Sequence, residues 1–229
     1  MVVSGGTRQR PILRSSKTPA RQSVLVCQVL TLVGMINIGE PPASDFTDPI
    51  GVLGDCHRRL ERFLRLLIVV TQRARGCMLS AEQREALLDA LRYFREAAPL
   101  HTADEEESLF PQLRTCGHKE VGQILTVLRT LERNHEDAVR WHGAVEDLGQ
   151  RWLDEGQLSP DGFETLATHL RSLDALYRRH IAIEDGDVFP LARRVLTRST
   201  CLALGRAMAQ RRGLDLDALS VGVEYPVSE

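Results

Sequence analysis

The sequence predicts an all-α protein: an up-down-up-down four-helix bundle with a short extra helix at its C-terminal end. Three observations carry this. From residue 48 onward Leu, Arg, Ala and Glu dominate, all good helix formers apart from packing considerations, while aromatics make up only 5% of the chain. Strand-like alternation of apolar and polar residues is scarce. Four separate segments space their apolar residues three and four apart, the stripe that buries one helix face. A chain of 229 residues, 43% of them hydrophobic, suits one core shared by four such stripes.

The first 45 residues are a different material. Arg8, Arg10, Arg14, Lys17 and Arg21 lie among Pro, Ser and Gly, and no acidic residue precedes Glu40. The apolar run over 23–39 is interrupted by Gln28 and Asn37. It is shorter than the roughly 20 residues a membrane-spanning helix needs. The stretch reads as a disordered extension or as sequence ahead of a start at Met35, with a targeting segment or a membrane anchor as alternatives. The bundle is then expected over 46–196, and a helix with its tail over 197–229.

Asp48-Pro49 opens the first helix, Asp as a cap and Pro in the first turn. Its stripe runs Leu53, His57, Leu60, Leu64, Leu67, and Gly76 closes it. Ser80 with Gln83 forms a capping box for the second helix, whose stripe is Leu87, Leu91, Phe94, Ala98, His101, Glu105. Pro99 should kink this helix before the histidine, and Pro111 should bend or end it. The third helix is expected over roughly 119–154, with the stripe Ile124, Leu128, Leu131, His135, Ala138, His142, Val145, stopping near Gly156. Ser159-Pro160 starts the fourth, with Phe163, Leu166, Leu170, Leu173, Tyr177, His180, Glu184. A shorter helix at about 198–211 and a tail from Gly213 complete the chain.

Bulk chemistry narrows the function classes. With 29 basic and 31 acidic residues the net charge is −2, which gives no electrostatic case for nucleic acid. Cys27, Cys56, Cys77, Cys116 and Cys201 are odd in number and scattered without a CxxC, as expected of thiols in a reducing, cytoplasmic setting. Cys56 precedes His57, but adjacent helical residues point about 100° apart, so it is not counted with that histidine. No nucleophile triad and no Gly-rich phosphate loop is present. The sequence shows no signature of a substrate pocket.

One pattern occurs twice. Residues 101–114 read HTADEEESLFPQLR and residues 180–193 read HIAIEDGDVFPLAR. Both have Glu at +4 from the histidine, Phe at +9, Pro at +10 and Arg at +13. On a helix, His and the Glu four residues on share one face, so an imidazole nitrogen and a carboxylate oxygen can reach one metal ion. His57 precedes the first pattern by 44 residues and His135 precedes the second by 45, which makes two helical hairpins, each with a lone His and an HxxxE. A lone His in an apolar stripe is ordinarily a hydrogen-bonded core residue. Four helices each burying one would cost stability at four sites, and one shared dinuclear centre explains all four. The +3 position differs between the repeats (Asp104 against Ile183), so His57, His101, Glu105, His135, His180 and Glu184 are the candidate metal ligands. Glu106, Glu107, Asp185, Asp187 and Glu136 are expected in solvent or in supporting positions. A nitrogen and oxygen donor set without thiolate suits iron, with manganese or zinc as alternatives.

This ordered set, over about residues 48–195, resembles the hemerythrin-like, or HHE cation-binding, domains. The resemblance implies an up-down bundle holding two non-haem irons, oxo- or hydroxo-bridged, on those six side chains. It also implies partners that are small: a diatomic such as oxygen or nitric oxide, or a peroxide. Oxygen-carrying hemerythrins place a further His four residues after the third-helix His, where this chain has Val139. His142 lies about 10 Å along the axis from His135, and is expected to be a core or surface residue or to line an access path. The four-His, two-Glu set is also similar to di-iron proteins implicated in iron–sulfur centre repair, whose cysteine-bearing N-terminal module is not found here. Three functions remain open: a di-iron protein that senses or handles a small oxidant, nitric oxide or iron; a metal-free helical interaction module; and a di-iron oxidase or peroxidase.

Overall fold

A computed structural model of the chain describes Met1 and residues 44–214. The extension expected over 1–45, and its apolar run, therefore lie almost wholly outside the described residues. Everything regular within them is helical. Helix α1 spans Pro49–Ala74, α2 Ala81–Glu96, α3 Ala98–Asp104, α4 Phe110–Thr115, α5 Leu125–Glu155, α6 Pro160–Ile183, α7 Phe189–Val195 and α8 Arg198–Arg211. Four rods result: α1, then α2 to α4 in line, then α5, then α6 with α7. Each of α1, α2, α5 and α6 packs on the next, and α6 returns to α1, which closes the up-down-up-down ring. No helix among the described residues is long and apolar enough to cross a membrane.

The helix starts follow the expected chemistry. Asp48 accepts from the Gly51 amide, Ser80 and Gln83 form both bonds of a capping box, and Ser159 accepts from Gly162. At the end of α1 the chain reverses through two left-handed residues, Arg75 (φ 50°) and Gly76 (φ 74°). A non-glycine residue in that region is uncommon. The reversal sets the Gly76 carbonyl to accept from the Leu158 amide, and the Cys77 carbonyl to accept from the Trp152 indole at 2.9 Å. These bonds tie the α1–α2 loop to the α5–α6 loop at one end of the bundle. The third helix begins later than expected: a 3-10 turn over Lys119–Gln123 precedes α5, which runs to Glu155.

The proline expectations were met in part. The second rod breaks at Ala97, just before Pro99, as a kink there requires. Pro111 neither ends its rod nor simply bends it. The backbone widens into a π-helical turn over Glu105–Leu109, closed by the Phe110 amide on the Glu105 carbonyl, and continues to Thr115. The second repeat does the same over Glu184–Val188, with Phe189 donating to Glu184. The prolines supply a reason. Pro111 and Pro190 have no N–H to bond the carbonyl four residues back, and their rings crowd it, so the wider turn costs less there than elsewhere. An apolar cluster including Leu53, Leu109, Phe110, Leu128, Val188 and Phe189 fills the bundle at this level, with Leu204 and Met208 of α8 packed onto it.

Candidate metal centre

Just beyond that apolar plug the four stripes bring their polar members together. His57, His101, Glu105, His135, His180 and Glu184 are all buried, and both glutamates are 0% exposed. They form two overlapping sets, His57, His101, Glu105, Glu184 and Glu105, His135, His180, Glu184, each with ligand-type atoms within 4.8 Å of one another. His57 Nε2 lies 3.1 Å from Glu184 Oε2, and His180 Nε2 is also 3.1 Å from that oxygen. His101 Nε2 is 3.6 Å from Glu105 Oε1, and His135 Nε2 is 3.3 Å from Glu105 Oε2. The Nε2 atoms of His135 and His180 face each other at 3.1 Å. The structure thus gathers every one of the six residues that spacing singled out, and each glutamate belongs to both sets.

These atoms are poorly satisfied by the protein alone. Neither oxygen of Glu105 or of Glu184 has a hydrogen-bond partner of good geometry, nor does His57 Nε2. A buried carboxylate without partners costs several kcal/mol, so the native chain must meet that demand from elsewhere. Cations between the carboxylates and the imidazoles would meet it, and the donor set fits them.

Two acids outside the six hold the rings in place. Asp185 accepts from His57 Nδ1 at 2.9 Å, and Glu106 accepts from His135 Nδ1 at 2.7 Å. Donating at Nδ1 turns Nε2 toward the cluster, the orientation a ligating histidine needs. The braces cross between the halves: the acid of the second repeat holds the ring of the first hairpin, and the reverse. Sequence reasoning grouped these two with Glu107 and Asp187 without distinction. The signal was in the repeat, where +5 from the histidine is acidic both times. The repeated Phe at +9 also crosses over. Phe189 stacks on His57 at 5.2 Å and 12°, and Phe110 lies parallel to His135 at 6.4 Å and 7°.

Electrostatics follow the burial and the pairing. Burial alone would depress the His57 imidazolium, but the Asp185 and Glu184 carboxylates outweigh it and push it up to about 10. Burial is likewise overcome at His135, which Glu105 and Glu106 raise to about 9. Burial and the nearby His57 charge drive His101 well below the ordinary imidazole range. Burial and repulsion from Glu184 raise Glu105. Glu184 is held far down by His180 and His57 in spite of its burial. Cys56, as expected, stands outside the set, buried in the apolar plug near Arg59.

On the side away from the plug the cluster faces a cavity of about 320 Å³, lined by the four histidines and by apolar groups from α1, α2, α3, α5 and α6. No sequence signal announced it. His142 lines it, so the access-path expectation describes its place. Its Nε2 pairs with the Tyr177 hydroxyl at 2.9 Å and its ring stacks on Phe94 at 4.2 Å. Burial lowers His142 to about 4. The folded value lies below the ordinary 6.5, so between those limits the unfolded chain binds a proton that the folded chain refuses. Stability therefore falls as pH drops from about 6.5 toward 4, by on the order of 3 kcal/mol from this residue. His142→Gln keeps a partner for Tyr177 and removes the proton site. Thermal unfolding followed from pH 7 to 4.5 should decline less steeply in the variant, and parallel curves would rule His142 out as the source.

Comparison with known proteins agrees with this geometry. A protein of Haemophilus influenzae described only as uncharacterized is 29% identical over 172 residues, covering 74% of this chain and 92% of that relative. Residues 48–192 match the hemerythrin HHE cation binding domain, and together with the buried His/Glu cluster this points to metal-ion binding. The chain belongs to the hemerythrin HHE cation-binding domain family.

Proposed function

We propose that the protein holds two non-haem iron ions and uses them to bind, sense or handle a small ligand: oxygen, nitric oxide or a peroxide. One observation carries this reading. Two four-residue donor sets share Glu105 and Glu184, whose oxygens have no other partner of good geometry. His57 and His101 would hold one ion, His135 and His180 the other, with both glutamates common to the two. Nitrogen and carboxylate donors without thiolate favour iron over softer metals, and iron supplies one-electron redox change and affinity for diatomics and peroxide.

The chain's own groups do the rest. Asp185 and Glu106 fix the imidazole orientations, Phe189 and Phe110 cover the rings on the plug side, and the cavity leaves an approach on the other. Protein produced with ample iron should carry about two irons per chain and an absorption band that shifts on adding azide or nitric oxide. His101→Ala combined with His180→Ala removes one candidate ligand from each set, and should abolish both metal and band. Unchanged metal content in that double variant would reject the assignment.

A further inference from the structure

The cavity is far larger than a diatomic ligand requires. A water occupies roughly 30 Å³, and an apolar cavity of ~150 Å³ takes up benzene. A space of about 320 Å³ therefore has room for around ten non-hydrogen atoms. Its walls are the kind that receive an apolar body. Leu60, Ala98, Ala138 and Ile181 are aliphatic, and Phe94 presents an aromatic ring braced by stacking on His142. Its floor is the opposite kind, the four histidines of the candidate centre.

The mouth is kept open by small residues. Gly143 lies in the interior of α5, where glycine costs about 1 kcal/mol relative to alanine. Packing does not demand glycine there, because a Cβ at that position would meet nothing within 4 Å. Val139, one turn earlier on the same side, is 68% exposed at the cavity rim, so bulk is missing from the entrance over two turns. The nearby Arg95 is spent on Glu146 at 2.7 Å, so any charge recognition falls to the floor.

We propose that this cavity binds a compact organic carboxylate, aromatic or short aliphatic, with its apolar body against Phe94 and Ala138 and its carboxylate toward the four histidines. The body's site rests on the cavity. The choice of an anionic head rests on the metal reading above, since two divalent or trivalent cations outweigh the charge of two glutamates. The occupant is thus a molecule with one oxygen-donor end, and the cavity selects by the shape of the other end.

Isothermal titration calorimetry on the purified, iron-supplied protein tests this with benzoate, which has head and body, against acetate, which has the head alone. Benzoate should bind at least tenfold more tightly than acetate. Ala138→Leu fills the interior and Gly143→Phe closes the mouth; each should reduce the preference to near unity at unchanged metal content, whereas Gly143→Ala should keep it. Should Ala138→Leu lose metal or fail to fold, Gly143→Phe decides. Absence of a benzoate preference in the wild type, or its survival in the plugged variants, overturns the proposal whatever the metal content. Protein that carries no metal yet shows the preference, and loses it on plugging, would overturn the two-iron reading and leave the cavity's role standing.

Discussion

Stripping the metal with a strong chelator is expected to lower the thermal midpoint by about 10 °C. A ligand present at a thousand times its dissociation constant stabilises the native state by about 4 kcal/mol. In a chain of this length each kcal/mol is worth roughly 2–4 °C. The physical source is visible in the core. Four helices converge on two fully buried carboxylates whose oxygens lack hydrogen-bond partners of good geometry, and each cation would link several rods at once. Without cations, His57 and His135 take up protons and soften the loss through their ion pairs, so the metal-free chain should remain helical but melt earlier. A metal-free interaction module makes the contrary forecast of identical melting curves. Differential scanning calorimetry before and after chelation, with iron added back, separates the two.

Asp104→Ala should cost about 3 kcal/mol, although Asp104 is no candidate ligand. Its side chain is 0% exposed and accepts from Arg211 at 2.9 Å and from Arg212 at 2.7 Å. Arg211 also bonds Ser108 at 2.7 Å, so the end of α8 is clamped onto the first π turn. Removing one partner of a buried ion pair strands the others, typically at a cost of 3–5 kcal/mol. The lower figure is apt because both arginines keep other acceptors, Ser108 and Glu107 for Arg211 and the Met208 carbonyl for Arg212. Amide exchange over 198–211 should rise in the variant as α8 loosens. Stability within 0.5 kcal/mol of wild type, measured by urea unfolding, would remove Asp104 from the role of clamp.

The acids near the two histidine repeats mark where sequence legibility began and ended. Glu105 and Glu184 were readable because helical periodicity alone puts a +4 carboxylate beside its histidine. Glu106 and Asp185 were not distinguished, since their partners are 29 and 128 residues away and on the opposite hairpin. Local spacing cannot express a contact that depends on how two hairpins dock. Asp104 was obscured for a related reason. It has no counterpart in the second half, where Ile183 packs toward the apolar cluster, because α8 covers only the first repeat. The four stripes and their caps were legible residue by residue, each being a short-range property. The cavity was not, because it is made of what small side chains leave empty.

The two widened turns have a consequence for which sequence changes the protein can survive. In an α-helix, residues five apart point about 140° away from each other. Where the ring is closed from i to i+5, they come nearly into line. That phase is what carries Phe110 and Phe189 from beside their own glutamates onto the imidazoles across the bundle. Each turn behaves as an α-helix holding one surplus residue, so a single-codon deletion within 105–109 or 184–188 would swing everything downstream by about a quarter turn. Elsewhere on an exposed helix end such a loss is often harmless. At these two places the length of the chain is itself part of the chemistry.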